Sequence, residues 1–552
     1  MASSIRSDQP LGSVNFQHDQ GPRSLSLVDV HEPFLSALQT EPRLISGRKG
    51  SGKSTVLYAL RHYDELRPRI RLIRPEGNVR QELERASRHV IVIATHREFE
   101  PIVESVYRRA YEQQIAADGF RTTETLRDEW EDRLWYQIIS YFYSLHIADP
   151  HRRAEEQFKH VIAYCDRNFR KRYIEQNYLE ISDSLDSKEI AEKIAVNARR
   201  EVMDHLSNGH RKCFLLIDSL EEYPIHNEKW LDVVKGFLPA IEAMQAKYSP
   251  QINIMATIPE EIEYIFREQP GSEPGKNFSS VHRIRWKARD LKRIVALRFI
   301  ELIKEIVNED SLLHTYYVRY ETNVFEKILN RHGNTDLTSH RAVDAFLAEL
   351  LPGEVTNRIG ISEQLWPYII RHTHICPRHL LLILNEAIIS SGDYWRRFGR
   401  LNEESIRHGV SSAEKVICPN VCVPYQSIYP EILNLVRIFC EQLPSFFDFR
   451  QLSKMANVLG KQLINPITDR QIGSDGACRL LFNMGVIGRV EKPTQKNVMR
   501  YEDTRYFYTK EGVPEISDRF DYCLHPAFSG LYEARDRNRN DHRLSYPEGV
   551  EL

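Results

Sequence analysis

The sequence predicts an α/β fold: a parallel sheet broken by a helical insertion, then a helical unit, then a C-terminal unit of winged-helix type. Three observations carry this. A glycine-rich turn, GRKGSGKS, lies between an apolar Leu-Ile pair and an amphipathic helical pattern. Short apolar runs at Arg88 to Thr95, Cys213 to Ile217 and Ile252 to Ile258 alternate with helical stretches, the pattern of buried parallel strands. Beyond Asp290 helical periodicity dominates, until three helices and a two-stranded ribbon close the chain.

At 552 residues and 64.7 kDa the chain exceeds one ordinary core, so three units are expected. With 41% hydrophobic and 28% charged residues and a mean hydropathy of −0.47, it reads as globular and neither disordered nor fibrous. The sequence has no apolar run of membrane-spanning length, and the start MASSIRSDQPLGS lacks a secretion signal's apolar stretch. A cytoplasmic location without a membrane partner is therefore expected. Eight cysteines over this length do not make a disulfide framework. Cys418 and Cys422, the closest pair, lack a second pair at zinc-finger spacing, so reduced structural thiols are expected. With 75 basic and 77 acidic residues the net charge is −2, so any contact with nucleic acid must come from a local patch.

Taken in order, residues 1–26 are polar and aperiodic and read as a flexible arm. Residues 27–288 form the α/β core. In its GRKGSGKS turn, Gly47, Gly52, Lys53 and Ser54 fit a phosphate-binding loop. Glycines let successive backbone N–H groups of Gly50, Ser51 and Gly52 curl inward beneath a helix N-terminus, which favours a polyphosphate. Lys53 would reach the β- and γ-phosphates, Ser54 would hold Mg²⁺, and Thr55 would lie near the α-phosphate, so ATP with Mg²⁺ is the expected ligand. The following helix is expected over Thr55 to Leu66, ending before Pro68.

Residues 99–208 read as a helical insertion, with Trp130, Trp135, Tyr141 and Phe142 as packing residues. The run Cys213 to Ile217 delivers Asp218 to a strand's C-terminal end, where α/β sheets bind ligands and where a carboxylate holds Mg²⁺. Glu221 and Glu222 follow within a turn; they are candidates for positioning a hydrolytic water, and a solvated acidic turn is the alternative account of them. Thr257 ends the next strand. It is placed either to sense the γ-phosphate or to cap the helix that begins near Glu260.

Residues 289–426 are expected to form a helical lid, in which Pro377 breaks the chain before a helix carrying Arg378 in its first turn. Residues 427–532 read as the winged helix, with a wing of strands at Val486 to Val490 and RYFYTK joined by the loop EKPTQKNVMRYEDT. Residues 533–552 read as a charged tail.

Taken together, GRKGSGKS, LLIDSLEE and CPRHLLLILNEA resemble the AAA+ and STAND groups of P-loop ATPases, and bacterial Orc/Cdc6-like ATPases in particular. The resemblance spans about residues 27–530. It implies a P-loop NTPase core, lid and winged helix, with Arg378 as a lid residue on the γ-phosphate and Trp286 at the lid's entry. An arginine finger from a neighbouring subunit is expected by analogy. Arg283, Arg285 and Arg298 qualify by position only, and surface or salt-bridge roles explain them more simply. Ser219 stands where AAA+ proteins usually carry Glu, and the acids at 221 and 222 look more like the STAND pattern. This implies slow turnover and a switching role.

Two functions follow. The first is an ATP-binding, ATP-hydrolysing switch that forms homo-oligomers and controls a separate effector protein, a role that the resemblance places in bacterial antiphage defence. The alternative is an ATPase that positions other proteins on duplex DNA. Against the second, the reading helix Ser474 to Gly485 offers chiefly Arg479 and Asn483, where phosphate neutralisation should dominate.

Overall fold

The structure, a computed structural model, describes residues 9–12, 25–30, 34–40, 43–73, 88–93, 104, 106, 119–146, 157–165, 185–218, 228–260, 281–313, 323–426, 428–465, 470–496, 499–509, 514–532 and 543–550. The core opens with α1 (Phe34–Thr40), β1 (Leu44–Gly47), α2 (Lys53–Arg61) and α3 (Tyr63–Ile73). It continues through β2 (Arg88–Ile93), α4 (Gly119–His146), α5 (Leu185–Asn208), β3 (Lys212–Ile217), α6 (Glu228–Tyr248), β4 (Ile252–Pro259) and β5 (Val281–Arg283). The five strands form one parallel sheet in the order β2-β3-β4-β1-β5. Every residue of β1 and β4 is buried, which is why these strands read as continuous rather than alternating apolar runs.

Successive side chains of β3 serve opposite faces of the sheet, as strand geometry requires. Leu215 and Ile217 join Trp130, Trp135 and Phe142 in the larger core, while Phe214 and Leu216 join Val56, Leu57 and Leu60 of α2. The helix expected over Thr55 to Leu66 is instead two helices that meet at His62, with Pro68 inside the second.

The lid comprises α7 (Ala288–Leu313), α8 (Asn323–His332), α9 (His340–Leu350), a hairpin of β6 (Glu354–Thr356) and β7 (Ser362–Gln364), then α10 (Leu365–Arg371), α11 (Pro377–Ser391), α12 (Asp393–Phe398) and α13 (Glu403–Gln426). Pro377 sits at the start of α11, where its missing N–H has no helical partner to lose. The lid also anchors part of the arm. Leu11 is buried, its N–H donates to Asn385 Oδ1 at 2.7 Å, and Arg298 Nη1 donates to its carbonyl at 3.2 Å. The expectation of a flexible arm therefore fails at residues 9–12, because one apolar side chain finds a buried seat with both backbone groups satisfied.

The C-terminal unit runs α14 (Ile432–Gln442), β8 (Phe446–Phe447), α15 (Phe449–Gln462), β9 (Ile464–Asn465), β10 (Arg470–Gln471), α16 (Gly473–Met484), β11 (Ile487–Lys496), β12 (Met499–Arg505), β13 (Tyr522–Leu524), α17 (Pro526–Leu531) and β14 (Leu544–Pro547). A capping box opens α15: the Gln451 N–H donates to Asp448 Oδ1 at 2.8 Å and the Asp448 N–H to Gln451 Oε1 at 3.1 Å. Gly485, at φ 73°, ends α16 in the left-handed conformation that glycine adopts without strain.

The wing differs from expectation. Its second strand is Met499–Arg505, and Tyr506 and Tyr508 beyond it are buried instead of continuing the ribbon. The wing belongs to a five-stranded sheet, β14-β12-β11-β13-β8. The charged-tail reading likewise stops short of Leu544–Pro547, a buried strand that pairs in parallel with β12. The three units are thus a P-loop NTPase-type α/β core, a helical lid and a C-terminal winged helix.

Candidate nucleotide site

The phosphate loop leaves β1 at the sheet's C-terminal edge and enters α2 at Lys53. Gly50 and Gly52 adopt φ values of 89° and 94°, which only glycine takes up freely. Gly47 meets a different need: a Cβ there would lie 2.5 Å from Ser51 Oγ. Ser51 is buried, and its hydroxyl has no hydrogen-bond partner among the described residues. Lys53 is also buried, its ammonium donating to the carbonyls of Gly47 at 2.9 Å and Arg48 at 3.3 Å. Ser54 and Thr55 occupy the first turn of α2 and are half-buried.

Asp218 directly follows β3 and is 4% exposed. Thr257, fully buried on the adjacent β4, donates its hydroxyl to Asp218 Oδ1 at 2.5 Å. The threonine thus orients the carboxylate, a role that neither sequence reading of it contained. Since β4 lies between β1 and β3, topology brings the phosphate loop, Thr257 and Asp218 to one edge of the sheet. Glu221 and Glu222 lie outside the described residues.

Two neighbours close on the loop. Arg378, in the first turn of α11, packs against Gly50, where an added Cβ would lie 2.8 Å from the arginine's own Cβ. The Arg378 N–H also points at the Gly50 carbonyl, at 3.4 Å. Trp286, between β5 and α7, donates its indole N–H to the Ser51 carbonyl at 2.8 Å. The positional arginines are otherwise engaged: Arg285 pairs with Glu260 at 2.9 Å, and Arg298 is buried against Leu11.

Sequence reading missed Arg48. Its guanidinium donates to the Asn483 carbonyl at 3.1 Å and the Met484 carbonyl at 2.6 Å, two of the orphan acceptors at the end of α16. It also lies over the Tyr508 ring, 5.7 Å from the centroid. Gly485 keeps this seat open, since a Cβ there would fall 2.9 Å from Arg48 Nη1.

Around this seat the lid and winged helix meet in an aromatic cluster. His374 stacks on Tyr508 at 4.9 Å and meets His525 edge-on at 4.5 Å. His379 accepts from the His374 N–H at 3.2 Å. Burial lowers the proton affinity of all three imidazoles, that of His525 down to about 3, so the junction is built from neutral rings.

No protein-family model and no curated protein matches the chain. Among the solved structures similar to it, two match over most of its length as follows. The ORC2 protein of Aeropyrum pernix, solved in ADPNP–ADP complexes, shares 10% identity over 92% of this chain and 90% of its own, with a TM-score of 0.33. The Cdc6p protein of Pyrobaculum aerophilum shares 9% over 96% of this chain and 98% of its own, with a TM-score of 0.25. With scores this low, the functional reading rests on the chain's own residues.

Proposed function

We propose that the chain is an ATP-binding, slowly ATP-hydrolysing switch whose nucleotide state controls its oligomerisation and, through it, a separate effector protein. One observation carries this reading. The loop shaped for phosphates touches the lid through Gly50 and Arg378, and the winged helix through Arg48. A ligand that reorders the loop must act on both units.

The residues fit ATP with Mg²⁺. Left-handed Gly50 and Gly52, and the Ser51 hydroxyl, which has no hydrogen-bond partner among the described residues, suit a phosphate cradle. Ser54 and the Thr257-oriented Asp218 are the groups that would hold Mg²⁺, which neutralises charge between the phosphates. On binding a phosphate, Lys53 would exchange the carbonyls of Gly47 and Arg48 for phosphate oxygens. That frees the Arg48 backbone at the residue whose side chain enters the winged helix. In this reading Arg378 reaches the γ-phosphate from the lid, and Glu221 or Glu222 positions the hydrolytic water.

The DNA reading is the weaker. Along α16 the exposed side chains are Asp475 and Arg479, and they neutralise each other at 2.8 Å. The end of the helix is packed on the core. A role in antiphage defence and the effector rest on the resemblance of the motifs, and the cytoplasmic location on the hydropathy pattern of the sequence.

Light scattering with and without a non-hydrolysable ATP analogue tests the switch. The wild type is expected to change oligomeric size and Lys53→Ala to stay unchanged; an unresponsive wild type refutes it.

A further inference from the structure

A cavity of about 300 Å³, within the range of small-molecule sites, lies between the lid and the C-terminal unit, away from the phosphate loop. Its basic lining is Arg358, Arg371, Arg543 and His372, with no carboxylate among the lining residues. Tyr368 and Phe446 add flat apolar surface. Arg358 belongs to the β6–β7 turn, Arg371 and Tyr368 to α10, Phe446 to β8, and Arg543 directly precedes β14. An occupant therefore touches both units.

The charges behind this lining are partly balanced. Arg371 forms a two-pronged pair with Glu363, both contacts at 2.9 Å, and Arg358 pairs with the buried Glu414. Arg543 lies over the Phe446 ring at 4.5 Å, and its carboxylate contact, the exposed Asp521, is 3.8 Å away. His372 is 5% exposed and its Nδ1 lies 2.7 Å from Glu414 Oε1, while its Nε2 has no hydrogen-bond partner among the described residues. A buried polar atom left unsatisfied on a cavity-lining residue is costly unless something completes it. Burial holds His372 neutral and pushes the Glu414 carboxyl up to about 7. When Glu414 carries the shared proton, Nε2–H is a donor.

We propose that this cavity binds a small organic phosphate, at a site separate from the phosphate loop. Guanidinium groups match phosphate oxygens, a dianion suits a lining that has three arginines, a neutral histidine and no carboxylate, and the two rings accommodate the organic part. A metal cation finds no carboxylate in this lining, and a purely apolar ligand would leave His372 Nε2 unsatisfied. Occupancy would clamp the lid to the C-terminal unit, giving the molecule a second input that does not depend on the ATP reading.

Isothermal titration of the full chain with ribose 5-phosphate, orthophosphate and acetate tests this, in the wild type, Lys53→Ala and Arg543→Gln. Ribose 5-phosphate should bind saturably to the wild type and to Lys53→Ala, and about tenfold or more weakly to Arg543→Gln at an unchanged melting temperature. Arg543→Lys, which keeps the charge without the fork, should fall between. The absence of saturable binding of either phosphate to the wild type overturns the proposal. Binding lost in Lys53→Ala but kept in Arg543→Gln overturns it too, by assigning the phosphate to the loop, and acetate binding as tightly overturns the ligand class.

Discussion

At Glu414 one buried carboxyl makes a prediction with a definite sign. Burial raises its folded-state affinity from the ordinary 4.5 to about 7, so between those values the folded chain holds a proton that the unfolded chain has released. Stability from this group is therefore greatest below pH 4.5, falls as pH rises to about 7, and is flat above, a difference of about 3 kcal/mol by linkage. His525 works in the opposite sense: its lowered affinity weakens the fold as pH drops below 6.5, so the test must be a difference between variants. The wild type minus Glu414→Gln, followed by urea unfolding from pH 5 to 8, should show the loss, and a pH-independent difference would contradict it.

Residues that the sequence singles out by their spacing lie together at one edge of the sheet. Lys53 and the loop glycines carry a motif, and Asp218 closes an apolar run. Arg48 was not legible, because the motif leaves its position open and its partners are backbone carbonyls 435 and 436 residues away. Arg371 with Glu363, and His372 with Glu414, form a buried network that no local pattern announces.

At the scale of elements, α16 ends in carbonyls that the core satisfies. Arg48→Met keeps much of the side chain's bulk and removes both guanidinium bonds, an expected loss of about 1.5–3 kcal/mol per bond at the junction. Amide exchange at the end of α16 should quicken while that of β3 and β4 stays slow. Equal exchange in both proteins would show that Arg48 does not hold the winged helix. The sequence also shows which elements it can specify. β3 and β4, buried on both faces, announce themselves as apolar runs. The three-residue strands β6 and β7 are too short for any periodicity, and the wing's second strand ends at Arg505, beyond which Tyr506 and Tyr508 enter a core formed with distant His374 and His525.

At the scale of the molecule, the three units touch where the phosphate loop, α11 and the end of α16 meet. This arrangement was only half legible: the order of units follows from the motifs, but their contact depends on Arg48 and on the neutral histidine cluster. With α16 largely buried and its exposed pair self-neutralised, duplex DNA should bind weakly at low salt, with little salt dependence in a mobility-shift titration. Tight binding that falls steeply with salt would instead favour the DNA-positioning reading.

The central claim, that nucleotide at the phosphate loop is felt by the lid and the winged helix together, has a direct test. Hydrogen exchange is measured over residues 376–380 and 481–487, with and without a non-hydrolysable ATP analogue and Mg²⁺, in the wild type and Lys53→Ala. The account predicts that both segments change protection together in the wild type and that neither changes in Lys53→Ala. Nucleotide binding that leaves residues 481–487 unchanged in the wild type would contradict it.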